Sequence, residues 1–276
     1  MLLDLTSDQD FLRETTARFL DNRVPVEEIR RLRDDPAGFS REYWRLGTEL
    51  GWTSLLVAED MGGGSVSGDG LVDLTLIAHE FGSHAAPGPL IPTAVVAAAL
   101  GAALVATPND GHLKVLTDLL SGAAIASWCT EEPRWNGSSD GISLEVVVEG
   151  GEVVLTGMKR PVESALQADH LLVTGRTGEG LTQVLVPAGA AGLSVTPMHS
   201  VDLTRRFAKL SFEGVRLPMD AVVGEVGQAD DAVEIQLRMA LAIANAETVG
   251  ALEKAFGMTV EWAVMYEVPH NIEETT

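Results

Sequence analysis

The sequence predicts an α+β chain in three parts: an all-α region over 1–122, a middle antiparallel β-sandwich or barrel over 123–226, and a helical segment over 227–276. Two of the observations behind this are switches of hydrophobic period. Apolar residues recur at helical spacing up to Gly122, fall into short extended runs after it, and return to helical spacing near Asp230. The third is that the short Val-, Leu- and Ile-rich runs have no helix of useful length between them. A doubly wound parallel sheet needs such helices, so the pattern favours a sandwich or barrel.

The elements follow in order. Ser7 is placed to cap a helix with Phe11, Leu12, Thr15, Phe19 and Leu20 on one face. Pro25 suits the first turn of a second, in which Glu27 and Glu28 precede Arg30, Arg31 and Arg33, as the helix dipole favours. Ser40 caps a third carrying Tyr43, Leu46, Gly47 and Leu50, and Asp69 a fourth carrying Leu71, Leu74, Ile77, Ala78 and Phe81. Two more are expected around 92–105 and 110–121. Strands are expected at 123–129, 142–148, 152–156, 170–174, 182–186, 192–196 and 208–213, with a tight hairpin turn at Gly150-Gly151. From Asp230, Val233, Leu237, Ala240, Ala244, Thr248 and Ala251 mark a stripe on one helix. That helix runs to about Tyr266, roughly 54 Å at about 1.5 Å per residue, before Pro269 stops it. A stripe of this kind must pack against something.

Composition narrows the function classes. The 276 residues carry 40 acidic against 19 basic side chains, a formal charge of -21, with 46% hydrophobic residues and a mean hydropathy of +0.15. Such a polyanion does not hold nucleic acid or an anionic bilayer on its general surface; an anionic ligand needs a local pocket. Cys129 is the sole cysteine, which excludes an intrachain disulfide and a Cys-based zinc site. A lone thiol and a start, MLLDLTSDQDFL, without the features of a signal peptide point to the cytoplasm. The Ala-rich stretch from Ile91 to Ala106 falls short of the ~20 residues a membrane span needs and reads as a buried helix.

Most motif matches dissolve on inspection. Gly62-Gly63-Gly64 imitates a dinucleotide-binding turn, but Ser67 stands where the third glycine belongs. Gly137-Ser138-Ser139-Asp140-Gly141 matches G-x-S-x-G, with His170, His199 or His270 available as bases. A nucleophile elbow precedes a helix, however, and here a strand follows. His79-Glu80 lacks the second zinc histidine, because Ser83 occupies the i+4 position. What remains is a strand end, Trp128 to Pro133, followed by Gly137-Ser138-Ser139. Backbone N–H groups and hydroxyls at such a rim suit a planar hydrogen-bonding ligand and a phosphate.

As a set, several stretches resemble the acyl-CoA dehydrogenase family, actinobacterial type. Leu50-Gly51-Trp52 through Pro-lacking Ala58-Glu59-Asp60-Met61-Gly62-Gly63 is similar to the family's L-G-W-x-x-L-x-x-P-E-x-x-G-G. Glu80-Phe81-Gly82, Pro87-Gly88-Pro89-Leu90, Thr156-Gly157-Met158-Lys159 with Ala168-Asp169, Asp202 to Arg206, Phe212 to Pro218 and Met258 to Ala263 follow in family order. The resemblance implies an N-terminal helical domain, a middle β-domain and the first helix of a C-terminal four-helix bundle, most of which this chain lacks. It also implies an FAD-dependent oxidoreductase that dehydrogenates the α,β bond of an acyl-CoA thioester, such as a bulky or steroid side-chain acyl-CoA. A homo- or hetero-oligomer with another acyl-CoA dehydrogenase subunit is implied too, as is an acceptor such as an electron-transfer flavoprotein. The alternative it leaves open is a non-catalytic structural subunit.

For the cofactor, the resemblance implies Thr130 or Glu131 at the flavin ring, in the place of the Thr of T-E-P, and Ser138 or Ser139 at a phosphate oxygen. After Lys159, Pro161 and Glu163 stand where many members set an aromatic and a hydroxyl against the ring. Tyr266 to His270 departs from the family's R-x-x-F-G. No catalytic residue is assigned: the family's base lies beyond this chain, and the branched-chain location reads Met239-Ala240-Leu241. No metal is expected.

Overall fold

Six helices precede the sheet: α1 (Ser7–Arg23), α2 (Val26–Leu32), α3 (Arg41–Thr48), α4 (Gly70–His84), α5 (Leu90–Ala106) and α6 (Asp110–Leu120). The computed structural model describes residues 4–134 and 137–265. Ser40 and Asp69 cap α3 and α4 as expected, accepting from Tyr43 N at 3.0 Å and Val72 N at 3.2 Å. Thr6 rather than Ser7 caps α1. It accepts from Gln9 N while its own N–H donates to Gln9 Oε1, a reciprocal box that an amide three residues on makes possible. Pro25 sits at the N-cap of α2, one residue outside the helix. The Ala-rich stretch forms α5 and is buried on nearly every face from Leu90 to Gly101. Among the described residues no helix is long and apolar enough to cross a membrane. The helices gather around an aromatic cluster in which Trp52 and Phe81 meet edge to face at 4.7 Å, with Trp44 fully buried beside them.

The strands are β1 (Ala126–Cys129), β2 (Glu145–Glu149), β3 (Glu152–Glu163), β4 (His170–Arg176), β5 (Leu181–Pro187), β6 (Leu193–Met198), β7 (Phe207–Pro218) and β8 (Val222–Val223). They make one sheet in the order β6-β7-β3-β2-β4-β5-β8, antiparallel in most pairs. The antiparallel expectation needs one correction. β1 enters from the helices, not from a hairpin, and joins β4 in parallel with Trp128 opposite Leu172. β2 also meets β4 in parallel, at Glu145 and Arg176. β3 and β7 outrun their expected lengths because polar residues such as Thr156 and Lys159 interrupt the apolar run, whereas ladder hydrogen bonds do not depend on it.

The long helix forms as α7 (Asp230–Met265). The expected stop at Pro269, the His270 side chain and the Tyr266–His270 segment lie outside the described residues. The stripe Val233, Leu237, Ala240 and Ala244 is not left bare: it packs onto the chain's own core. The apolar side chains that face solvent lie on other faces and toward the far end. Leu252, Phe256, Trp262 and Met265 are 63%, 71%, 59% and 75% exposed.

The crossing of α4 and α7 depends on two glycines. A Cβ on Gly82 would lie 1.8 Å from the Glu247 carbonyl oxygen, and one on Gly250 would lie 1.9 Å from that of His79. The helices therefore touch backbone to backbone, and His79 adds an Nε2 contact of 2.7 Å to Glu253 across the same seam. Gly250→Val is expected to force them apart at a cost of about 1–3 kcal/mol. A thermal melt unchanged from wild type would refute this account of the seam.

Candidate functional site

A cleft of about 700 Å³ opens between the sheet rim and α7. Trp128 and Glu131 line it from the end of β1, with Gly137 beyond. Pro161 and Glu163 line it from β3, Arg205 and Phe207 from the start of β7, and Glu234, Leu237, Arg238 and Leu241 from α7.

The rim is positioned by a buried ion pair. Lys159 is 0% exposed, and its Nζ donates to Glu132 Oε1 at 2.7 Å and to the Thr130 carbonyl at 3.0 Å. Glu132 also accepts the N–H groups of Ser143 and Leu144 and the Ser143 hydroxyl. Burial pushes the Glu132 carboxyl up, but the Lys159 ammonium and these hydrogen bonds outweigh it and hold it below the ordinary carboxylate range. Burial pulls the Lys159 ammonium down, with Glu132 opposing. The pair thus takes Glu132 and Lys159 out of the cleft and leaves their neighbours to face it. The Arg160 N–H donates to the Glu131 carbonyl at 2.9 Å, and Ser127 Oγ donates to the Glu163 carbonyl at 2.7 Å, so β1 and β3 run side by side beneath the opening.

This geometry separates the alternatives at the rim. Glu131 is the residue whose side chain lines the cleft, and burial raises its carboxyl above the ordinary value. The Thr130 hydroxyl is buried, with no hydrogen-bond partner among the described residues. Ser139 Oγ donates to Glu234 Oε1 at 2.5 Å and so ties the loop after β1 to α7. The Ser138 hydroxyl caps a short turn at Ser139–Gly141, accepting from Asp140 N at 3.4 Å. The G-x-S-x-G match therefore forms a turn running into β2, not a nucleophile elbow.

Glu163 faces Arg205, whose Nη1 lies 3.7 Å from the carboxylate, and the other arm of Arg205 is hydrogen-bonded to Glu247 of α7. Burial pushes the Glu163 carboxyl up to about 7 despite Arg205, and it raises Glu247 as well. Burial alone would lower the Arg205 guanidinium, but Glu163 and Glu247 keep it charged. The Arg205–Glu247 tie was invisible in the sequence: two opposite charges 42 residues apart carry no spacing signal. A second missed link is the Trp128 indole, which donates to Gln236 Oε1 at 3.1 Å, with Gln236 in turn paired to Gln183. Gln236 and Gln183 line a separate apolar cavity of about 220 Å³ between α5 and α7, so the Trp128–Gln236 contact stands between that cavity and the cleft. Among the described residues no group of His, Cys, Asp and Glu is arranged to hold a metal ion.

A flavin can be tested against this donor set. Its ring edge presents mainly hydrogen-bond acceptors, and its pyrophosphate is a dianion, so both ask for donors. The cleft offers carboxylates at Glu131, Glu163 and Glu234, and the Ser139 hydroxyl is already given to Glu234. The Glu131 and Glu163 carboxylates do not fit the acceptor edge of FAD, although Arg205 and Arg238 line the same cleft.

Comparison with known proteins agrees with the fold. Residues 6–132 match the family profile described as "Acyl-CoA dehydrogenase, N-terminal domain". Acyl-CoA dehydrogenase FadE12 of Mycobacterium tuberculosis is 30% identical over 227 residues, covering 79% of this chain and 55% of that protein. Probable acyl-CoA dehydrogenase YngJ of Bacillus subtilis is 24% identical, covering 82% and 60%. Among solved structures, butyryl-CoA dehydrogenase from Megasphaera elsdenii superposes with a TM-score of 0.81 at 20% identity, covering 95% of this chain and 70% of that one. The Tcur3481-Tcur3483 steroid ACAD gives 0.80 at 24%, covering 97% and 70%. The chain belongs to the acyl-CoA dehydrogenase family. It spans a little over half the length of FadE12.

Proposed function

We propose that this chain works in the α,β-dehydrogenation of an acyl-CoA thioester as a supporting subunit, assembled with another acyl-CoA dehydrogenase subunit that carries the complete catalytic machinery. The acyl group is of the bulky or steroid side-chain kind. The observation that carries this reading is the cleft itself: Glu131 and Glu163, at positions that the family resemblance sets beside the flavin ring, present carboxylates to a ligand that asks for donors. The Met239-Ala240-Leu241 stretch of α7 offers no carboxylate base. The apolar side chains exposed on α7, Leu252, Phe256 and Trp262 among them, supply the kind of surface that marks an interface.

A self-sufficient FAD-dependent dehydrogenase passing electrons to an electron-transfer flavoprotein is the second reading. The observation in its favour is that Glu234 lines the cleft and Glu247 lies beside it, so each is a candidate base on α7. The two are told apart by coexpression with a complete acyl-CoA dehydrogenase subunit, followed by light scattering. The expected result is a dimer or insoluble material from the chain alone, and a stable hetero-oligomer with the partner. A soluble monomer at micromolar concentration that forms no complex would defeat the subunit reading.

A further inference from the structure

We propose that Glu131 and Glu163 are the residues that close this cleft to flavin, and that replacing both with hydroxyl or amide side chains opens it. The inference rests on the reading that the cleft corresponds to the family's flavin side, and it names which of its residues do the excluding.

The two carboxylates approach from adjacent strands. Glu131 stands at the end of β1 and Glu163 at the end of β3, and the Ser127–Glu163 and Arg160–Glu131 hydrogen bonds hold those ends together. Both side chains line the same opening as Leu237, Ala240 and Leu241 of α7, which share that wall with Glu234 and Arg238. A planar ring lying on that wall would turn its carbonyl oxygens and ring nitrogens toward one or both carboxylates. An ionised carboxylate only accepts hydrogen bonds, so these contacts are repulsive in a place where water is largely displaced.

Arg205 does not rescue the site. Its guanidinium is divided between Glu163 and Glu247, and bringing it to a ligand would strip one or both of those carboxylates of their counter-ion. On the phosphate side Ser139 is donated to Glu234, so an anion there meets that carboxylate, with Arg238 on the same wall as the counter-charge within the cleft. The charge arrangement also makes the cure practicable. Removing Glu163 leaves Arg205 paired one-to-one with Glu247, and removing Glu131 strands no partner among the described residues. Neither change buries an uncompensated charge.

The test uses the full chain without a partner at pH 8, where Glu163 is ionised. Riboflavin and FAD are titrated separately into wild type, into Glu131→Thr/Glu163→Thr, and into Glu131→Gln/Glu163→Gln. Binding is read by flavin fluorescence and equilibrium dialysis, with circular dichroism confirming the fold. The amide variant keeps the shape of the side chains and covers the case in which the threonine variant fails to fold. The expected result is weak or undetectable binding to wild type and a gain of at least about tenfold for riboflavin in a folded double variant, the change worth one well-placed hydrogen bond. A gain for riboflavin but not FAD also supports the proposal and assigns the remaining barrier to Glu234. Wild type binding either flavin as tightly as the variants overturns it, and so does the absence of any gain in both folded variants. Partner assembly is measured separately. A chain that never joins a partner yet refuses flavin until these carboxylates are replaced defeats the subunit reading and leaves this assignment standing.

Discussion

Mixed with excess FAD and a panel of acyl-CoA and steroid-CoA thioesters, the chain by itself is expected to reduce no dye above a no-enzyme control. Dehydrogenation needs a base at the acyl α-carbon, and a positioned base commonly supplies about 10²–10⁴-fold. The branched-chain family location on α7 is Met239-Ala240-Leu241, which offers none. The two carboxylates that α7 brings to the cleft are already committed. Glu234 accepts from Ser139, and Glu247 is held by Arg205. A base must also meet a cofactor, and the donor set of the cleft is wrong for one. Clear turnover would show that a base has been overlooked, and Glu234→Gln and Glu247→Gln would then tell which of the two it is.

Lys159→Met is expected to cost about 3–5 kcal/mol, because it leaves Glu132 a buried charge without its counter-ion. The Thr130 carbonyl loses its donor in the same change, so the rim of the cleft loosens together with the core. Removing both charges, as Lys159→Met with Glu132→Gln, is expected to recover much of the loss, since no lone charge then remains. Urea denaturation of the two variants beside wild type decides it; a single variant within about 0.5 kcal/mol of wild type would sink the argument. The pair also sets an acid limit. Glu132 titrates below its ordinary range in the folded chain, so its contribution is complete at neutral pH and drains away as pH falls through that lowered value. In Lys159→Met the ammonium that opposes burial is gone, and the acid transition is expected to move upward.

Local chemistry was legible in the residues themselves. Ser40 and Asp69 announce helix starts because a side-chain oxygen two or three residues before a free N–H is a short-range signal. The change of apolar period at Gly122 and Asp230 separates helix from strand because the two backbones repeat every 3.6 and about 2 residues. The Trp128–Pro133 rim and Glu163 were recognisable as candidate site residues, as was the family, from motifs that keep their order along the chain.

Contacts between distant segments were decided only when the chain folded. Whether Thr130 or Glu131 faces the cleft depends on Lys159 reaching back to Glu132, across 27 residues. The destination of the stripe on α7 depends on Gly82 and Gly250 letting two helix backbones meet, and a glycine in sequence does not say what it touches. The parallel entry of β1 beside β4 and the Arg205–Glu247 tie have no periodicity at all. Period, caps and turns arise from neighbours a few bonds apart, which sequence order preserves. Ion pairs and strand partners arise from proximity in space, and here that proximity is created by the packing of α7 against α4 and of β3 against β1.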